Sequence, residues 1–119
     1  MGLDYNSYTG FGFKLADGDT YDDVIEAIER NHEDYYDIDF SDDNIELIVD
    51  GMCGNYIYLL YIIDNHDPLE DNNGIELSLT EFKETTERAI TALSEAVNKL
   101  GLPNVEAKDI KFISFTHVW

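Results

Sequence analysis

The chain has 119 residues, with 26 acidic and 7 basic side chains and a formal net charge of −19 at pH 7. Such a field repels phosphate backbones and anionic lipid surfaces, which argues against direct nucleic-acid or membrane binding. A length near the common domain size, with 44% hydrophobic and 13% aromatic residues, excludes a disordered acidic chain and predicts one domain over residues 1–119.

Thr9 to Leu15 alternates, with Thr9, Phe11, Phe13 and Leu15 on one side and Gly10, Gly12 and Lys14 on the other. This predicts a strand, and the glycines imply a bulge or a closely approaching backbone. After the turn Asp17-Gly18-Asp19, Thr20 opens a helix, with Asp23 as the acidic half of a capping-box-like pair. Tyr21, Val24, Ile25 and Ile28 form its apolar stripe, and Asp22, Glu26, Glu29 and Glu33 fall on the outer face. The helix is expected to end near Asn31.

Tyr36, Ile38 and Phe40 alternate with Asp37 and Asp39, and Ile45, Leu47 and Val49 alternate with Glu46, Ile48 and Asp50. With Ser41-Asp42-Asp43 as the turn, this predicts a β-hairpin with an apolar and an acidic face. A turn over 50–55 leads to Tyr56–Ile63, apolar throughout, as expected of a central strand covered on both faces. A polar loop spans 64–74.

Ser78 and Glu81 complete a capping box, with Leu77 and Phe82 at the hydrophobic-staple positions. The spacing predicts a helix over 80–100 that buries Phe82, Thr86, Ile90, Leu93, Val97 and Leu100, stopped by Gly101 and Pro103. A last strand covers Ile110–Trp119. The order β-α-β-β-β-α-β implies an α+β fold, a mostly antiparallel sheet with two helices packed on one face. The first and last strands enter through helical crossovers, which leaves a parallel pair open.

Motifs for chemistry fail one by one. Cys53 sits near Asp50 in a strongly negative chain, the opposite of the positive field that activates a thiolate, and reads as a semi-buried turn cysteine. His32, His66 and His117 lack the spacing of a zinc site, although His66 lies between Asp64 and Asp67. Asp17, Asp19, Asp22 and Asp23 miss the EF-hand pattern, because Gly18 separates the first two acids and Tyr21 takes the third ligand position. No glycine-rich phosphate loop occurs. The chain therefore reads as no enzyme, with no catalytic residues, no metal site and no cofactor. A single cysteine and an N-terminus without the pattern of a signal peptide favour the cytoplasm.

What remains is charge. Residues 1–50 carry 15 acids and 2 bases. Asp22, Asp23, Glu26, Glu29 and Glu33 on the helix, with Asp37, Asp39, Glu46 and Asp50 on the hairpin, form the expected partner-binding surface. Tyr35 is the expected aromatic anchor, with Tyr5 and Tyr8 as further anchors. In charge and length the chain resembles small acidic phage proteins that mimic DNA, such as anti-restriction, anti-CRISPR and uracil-DNA glycosylase inhibitor proteins. That resemblance implies an inhibitor that fills the basic groove of a nucleic-acid-processing or defence protein, and it transfers no residue. Two other readings stand beside it. One is a protein-interaction or assembly domain, homodimeric through a sheet edge. The other is a small-molecule or metal binder using the loops Met52–Asn55 and Asp64–Gly74, which converging His66 and His117 would favour.

Overall fold

A computed structural model describes residues 5–70, 74–102 and 106–118. Asp71, Asn72 and Asn73 of the polar loop, Pro103 of the helix stop and Trp119 of the last strand lie outside the described residues.

The elements are β1 (Tyr5–Ala16), α1 (Tyr21–Glu29), β2 (Ile45–Val49), β3 (Ile57–His66), α2 (Leu79–Leu100) and β4 (Lys111–Val118), with single 3-10 turns at Tyr35–Asp37 and Ala107–Asp109. The strands form one sheet in the order β2-β3-β1-β4, and every neighbouring pair is antiparallel. The fold is α+β, as the order of elements implies.

The segment expected as the first hairpin strand is not in the sheet. Tyr35–Asp37 is a 3-10 turn, and Ile38 to Phe40 follow outside any ladder. The hairpin partner of β2 is β3, registered Ile45↔Tyr61 and Val49↔Ile57. The segment covers the core instead: Tyr35, Ile38 and Phe40 pack on it while Asp37 and Asp39 face solvent, and Tyr36, expected on the apolar side, is exposed. This segment is tied to the end of α2, where the His32 ring bonds the Lys99 carbonyl at 2.8 Å and the Lys99 ammonium donates to the Asp39 carbonyl.

One face of the sheet carries both helices. Phe11 and Phe13 of β1, Ile45 of β2, and Leu59 and Tyr61 of β3 pack there against Ile28 of α1 and Leu93, Val97 and Leu100 of α2. The buried stripe of α2 is rotated from the expected one. Thr85, Ala89, Ala92 and Ala96 face the sheet, whereas Phe82 and Ile90 lie at its margin. Alanine permits a helix to approach a sheet closely, and a hydrophobicity count favours the bulkier neighbours. Ser78 caps the helix as expected, its hydroxyl accepting from the Glu81 N–H at 3.1 Å, which is one half of the expected capping box, and Gly101 closes the helix at φ 73°. At α1, Thr20 makes no side-chain cap. Asp17 instead accepts from the N–H groups of Asp19 and Thr20 and from the Thr20 hydroxyl.

The other face closes on itself. Tyr58 lies opposite Lys14 and Phe115 opposite Tyr8, six residues apart along β1, yet their rings stack at 4.2 Å. In a flat sheet those levels would be about 20 Å apart. The diagonal corners of the sheet have therefore curled together over β1. Two register shifts bend the pair: at Thr9/Gly10 the extra residue is Ile63 of β3, and at Lys14/Ala16 it is Leu15 of β1. Gly10 and Gly12 let β3 cross closely, as expected for them: a Cβ on Gly12 would lie 1.9 Å from the Leu59 carbonyl oxygen. Inside the curl lie Tyr8, Ile48 and Leu60, with Tyr56, Tyr58, Ile113 and Phe115 around them.

Candidate binding site

The curled face brings polar groups together at one end. His117 is buried, and its Nδ1 lies 2.5 Å from the Tyr56 hydroxyl. Burial lowers the His117 imidazole below its ordinary value, with Asp50 opposing, and burial raises the Tyr56 hydroxyl. Both shifts favour a neutral ring that accepts the tyrosine proton. The Tyr8 ring is buried, and its hydroxyl is directed at the Glu46 carboxylate. Burial pushes the Glu46 carboxyl above its ordinary value, while that hydroxyl acts in the opposite sense.

Beside this cluster a cleft of about 380 Å³ follows the outer edge of β2 from Glu46 to Val49. Tyr8, Tyr35, Tyr36, Met52 and His117 also line it. The Tyr35 and Tyr36 rings meet edge-to-face at 5.3 Å. A second, broader groove of about 990 Å³ separates residues 41–44 from the outer side of α2, where Asp42 and Asp43 face Glu84, Glu87, Arg88 and Glu95.

The expected partner surface divides in two. Asp22, Asp23, Glu26, Glu29, Glu33, Asp37 and Asp39 are exposed, although Glu33 follows the end of α1 rather than extending its face. Four other residues differ from expectation. Asp50 is buried and accepts from the N–H groups of Met52, Cys53 and Asn55. Burial pushes its carboxyl up, but those three donors outweigh burial and hold it below its ordinary value. Asp50 thus organises the 50–56 turn and presents no charge outward. Glu46 turns into the curled face, Tyr35 packs half-buried against the core, and Tyr8 is enclosed. An alternating acid reads as solvent-facing only while the sheet stays open, and this sheet does not.

His66 and His117 do not converge. His66 pairs with Ser7, whose hydroxyl meets Thr116, and His117 pairs with Asn6, so strand alternation sets the imidazoles on opposite faces. His66 bonds Asp64 at 2.6 Å. Among the described residues, no three His, Cys, Asp or Glu side chains gather as a metal site, and no helix is long and apolar enough to cross a membrane. Cys53 is exposed rather than semi-buried.

Compared with known proteins, the chain matches no family model, and neither a curated protein nor a solved structure shows significant similarity to it.

Proposed function

We propose that the protein is a non-enzymatic acidic inhibitor or modulator that binds a basic groove of a nucleic-acid-processing or defence protein, acting in the cytoplasm. The observation that carries this reading is uncompensated charge. Residues 17–50 hold 14 acids and one base, and that base, Arg30, bridges Glu26 at 3.4 Å with both side chains mostly exposed. Such an exposed pair is worth little. The remaining exposed carboxylates of α1 and the 31–44 segment supply the negative potential that steers a basic partner and pairs with its Arg and Lys side chains.

The test is capture from a host lysate, with the captured protein identified and the complex challenged with salt and DNA. Capture should fall steeply with ionic strength and compete with duplex or single-stranded DNA. Asp22, Glu26 and Glu29 changed together to Lys should abolish it with the fold intact. The same reversal of Glu84, Glu87 and Glu95, which share their groove with Arg88, should do far less. Equal effects of the two reversals would mean non-specific charge attraction.

One observation favours the assembly reading as the second choice. β4 is an outer strand, and Phe112 on it is 51% exposed, with its ring 5.7 Å from that of Phe82. A homodimer through this edge would appear in sedimentation and vanish in Phe112→Lys. The small-molecule reading loses the convergence of histidines that would favour it.

A further inference from the structure

The cleft along β2 combines a recessed carboxylate with aromatic rings, a combination that selects a flat cation. Glu46 lines it beside Tyr8, and Tyr35 and Tyr36 supply rings set at 86° to each other. Tyr36 is 70% exposed and Met52 is 62% exposed, so both offer apolar surface at the rim. The volume of about 380 Å³ is at the small end of ligand pockets, which run from about 300 to 1,000 Å³. That suits one extended side chain.

A guanidinium meets each feature. Its planar donors pair with a carboxylate, its face stacks on a tyrosine ring, and it sheds water more readily than an ammonium. An anion is refused by Glu46 and by the charge of −19. β2 is an outer strand, so an extended segment presenting the arginine can run beside Glu46–Val49. We propose that this cleft receives an arginine side chain of the basic partner, the guanidinium pairing with Glu46 and stacking on Tyr36. The inference rests on the reading of the protein as a binder of a basic partner, and it names the group that the partner inserts.

The experiment titrates the isotope-labelled protein with Nα-acetyl-arginine amide, following backbone amide shifts, with the citrulline and lysine amides in parallel arms. The arginine probe should shift Glu46, Ile48 and Met52. The neutral citrulline probe should not bind, and the lysine probe should bind more weakly. Glu46→Gln keeps the size of the side chain and an acceptor for Tyr8, and should weaken the arginine probe about tenfold or more. Tyr36→Ala, at an exposed position outside the core, should weaken it about two- to fivefold. Equal binding of arginine and citrulline, undiminished binding by both variants, or shifts confined to the groove of Asp42, Asp43, Glu84 and Glu87 would overturn the proposal. Such a failure leaves salt-sensitive, DNA-competed capture of a partner in place. Failure of the broader reading removes that capture, whatever the probe does.

Discussion

The two faces of the sheet are buried by different chemistry. Under the helices, Phe11, Phe13, Leu59, Leu93, Val97 and Leu100 pack with the alanines of α2, and the contact is almost wholly apolar. On the curled face, Phe115 stacks on Tyr8 and Tyr58 and meets Tyr56 edge-on, and their neighbours include Glu46 and His117. An apolar layer is sensitive to volume, because a lost methyl leaves a cavity. A layer of tyrosines is sensitive to protonation as well, because each buried hydroxyl needs a partner in the right charge state. The first face holds the fold together, while the second holds titratable groups beside a cleft.

The strand that both faces share gives the largest expected effect. Gly12→Ala would set a methyl 1.9 Å from the Leu59 carbonyl oxygen and 2.9 Å from the Leu60 Cα, which are backbone atoms of the neighbouring strand. The variant should lose its cooperative thermal transition and its near-ultraviolet circular dichroism. A wild-type melting curve would mean that β3 does not cross so closely. On the helix side, Leu93→Ala should cost about 2–5 kcal/mol in denaturant unfolding, and Ile90→Ala, at a position 37% exposed, clearly less. Comparable losses would return the buried stripe of α2 to the phase expected from sequence.

The curled face should differ from the helix face in its response to pH. His117 is lowered by burial, with Asp50 opposing and Tyr56 as its partner. Its contribution is full above an unfolded value of about 6.5 and is lost as pH falls toward the lower folded value. The advantage of wild type over His117→Gln in melting temperature should shrink across that interval. Glu46 has the opposite sign. Its folded value is raised, so wild type and Glu46→Gln should respond alike below an unfolded value of about 4.3, and the glutamine variant should gain as pH rises through the raised value. Parallel pH profiles for all three proteins would mean that neither group is enclosed. The smallest effect is expected at the turn: Cys53→Ser, at an exposed site, should leave the melting temperature and partner capture unchanged within error. A loss of capture would make the thiol part of the site.

Local patterns in the sequence carried most of the fold. The β1 alternation, the apolar run of β3, the Ser78 cap and the Gly101 stop each depend on neighbours within a few residues, and each is present. Structure and local pattern part where a distant element decides. Tyr36–Phe40 alternates like a strand, but it forms no ladder with the open edge of β2; Tyr35, Ile38 and Phe40 pack on the core instead, and Tyr36 is exposed. Glu46 and Asp50 alternate like outward acids, yet Glu46 turns into the curled face beside Tyr8, and the 50–56 turn folds its N–H groups onto Asp50. The exposed acids of α1 were legible, since a helix stripe fixes its own outer side. The β2 cleft was not, because it joins residues 35–36, 46–52 and 117–118, which no local spacing relates. The one available signal was the pair Gly10 and Gly12, whose close approach permits the curl.

The most direct test of the acidic-surface account is the salt dependence of partner capture with and without competing DNA. Carboxylates of α1 and the 31–44 segment that stand in for phosphates act through exposed charge, screened over about 8–10 Å at physiological ionic strength. Capture should collapse by about 0.5 M salt, be displaced by DNA at lower salt, and be absent from the triple reversal of Asp22, Glu26 and Glu29. Capture that persists at that salt, resists DNA and survives the reversal would contradict the account and leave a shape-driven assembly domain in its place.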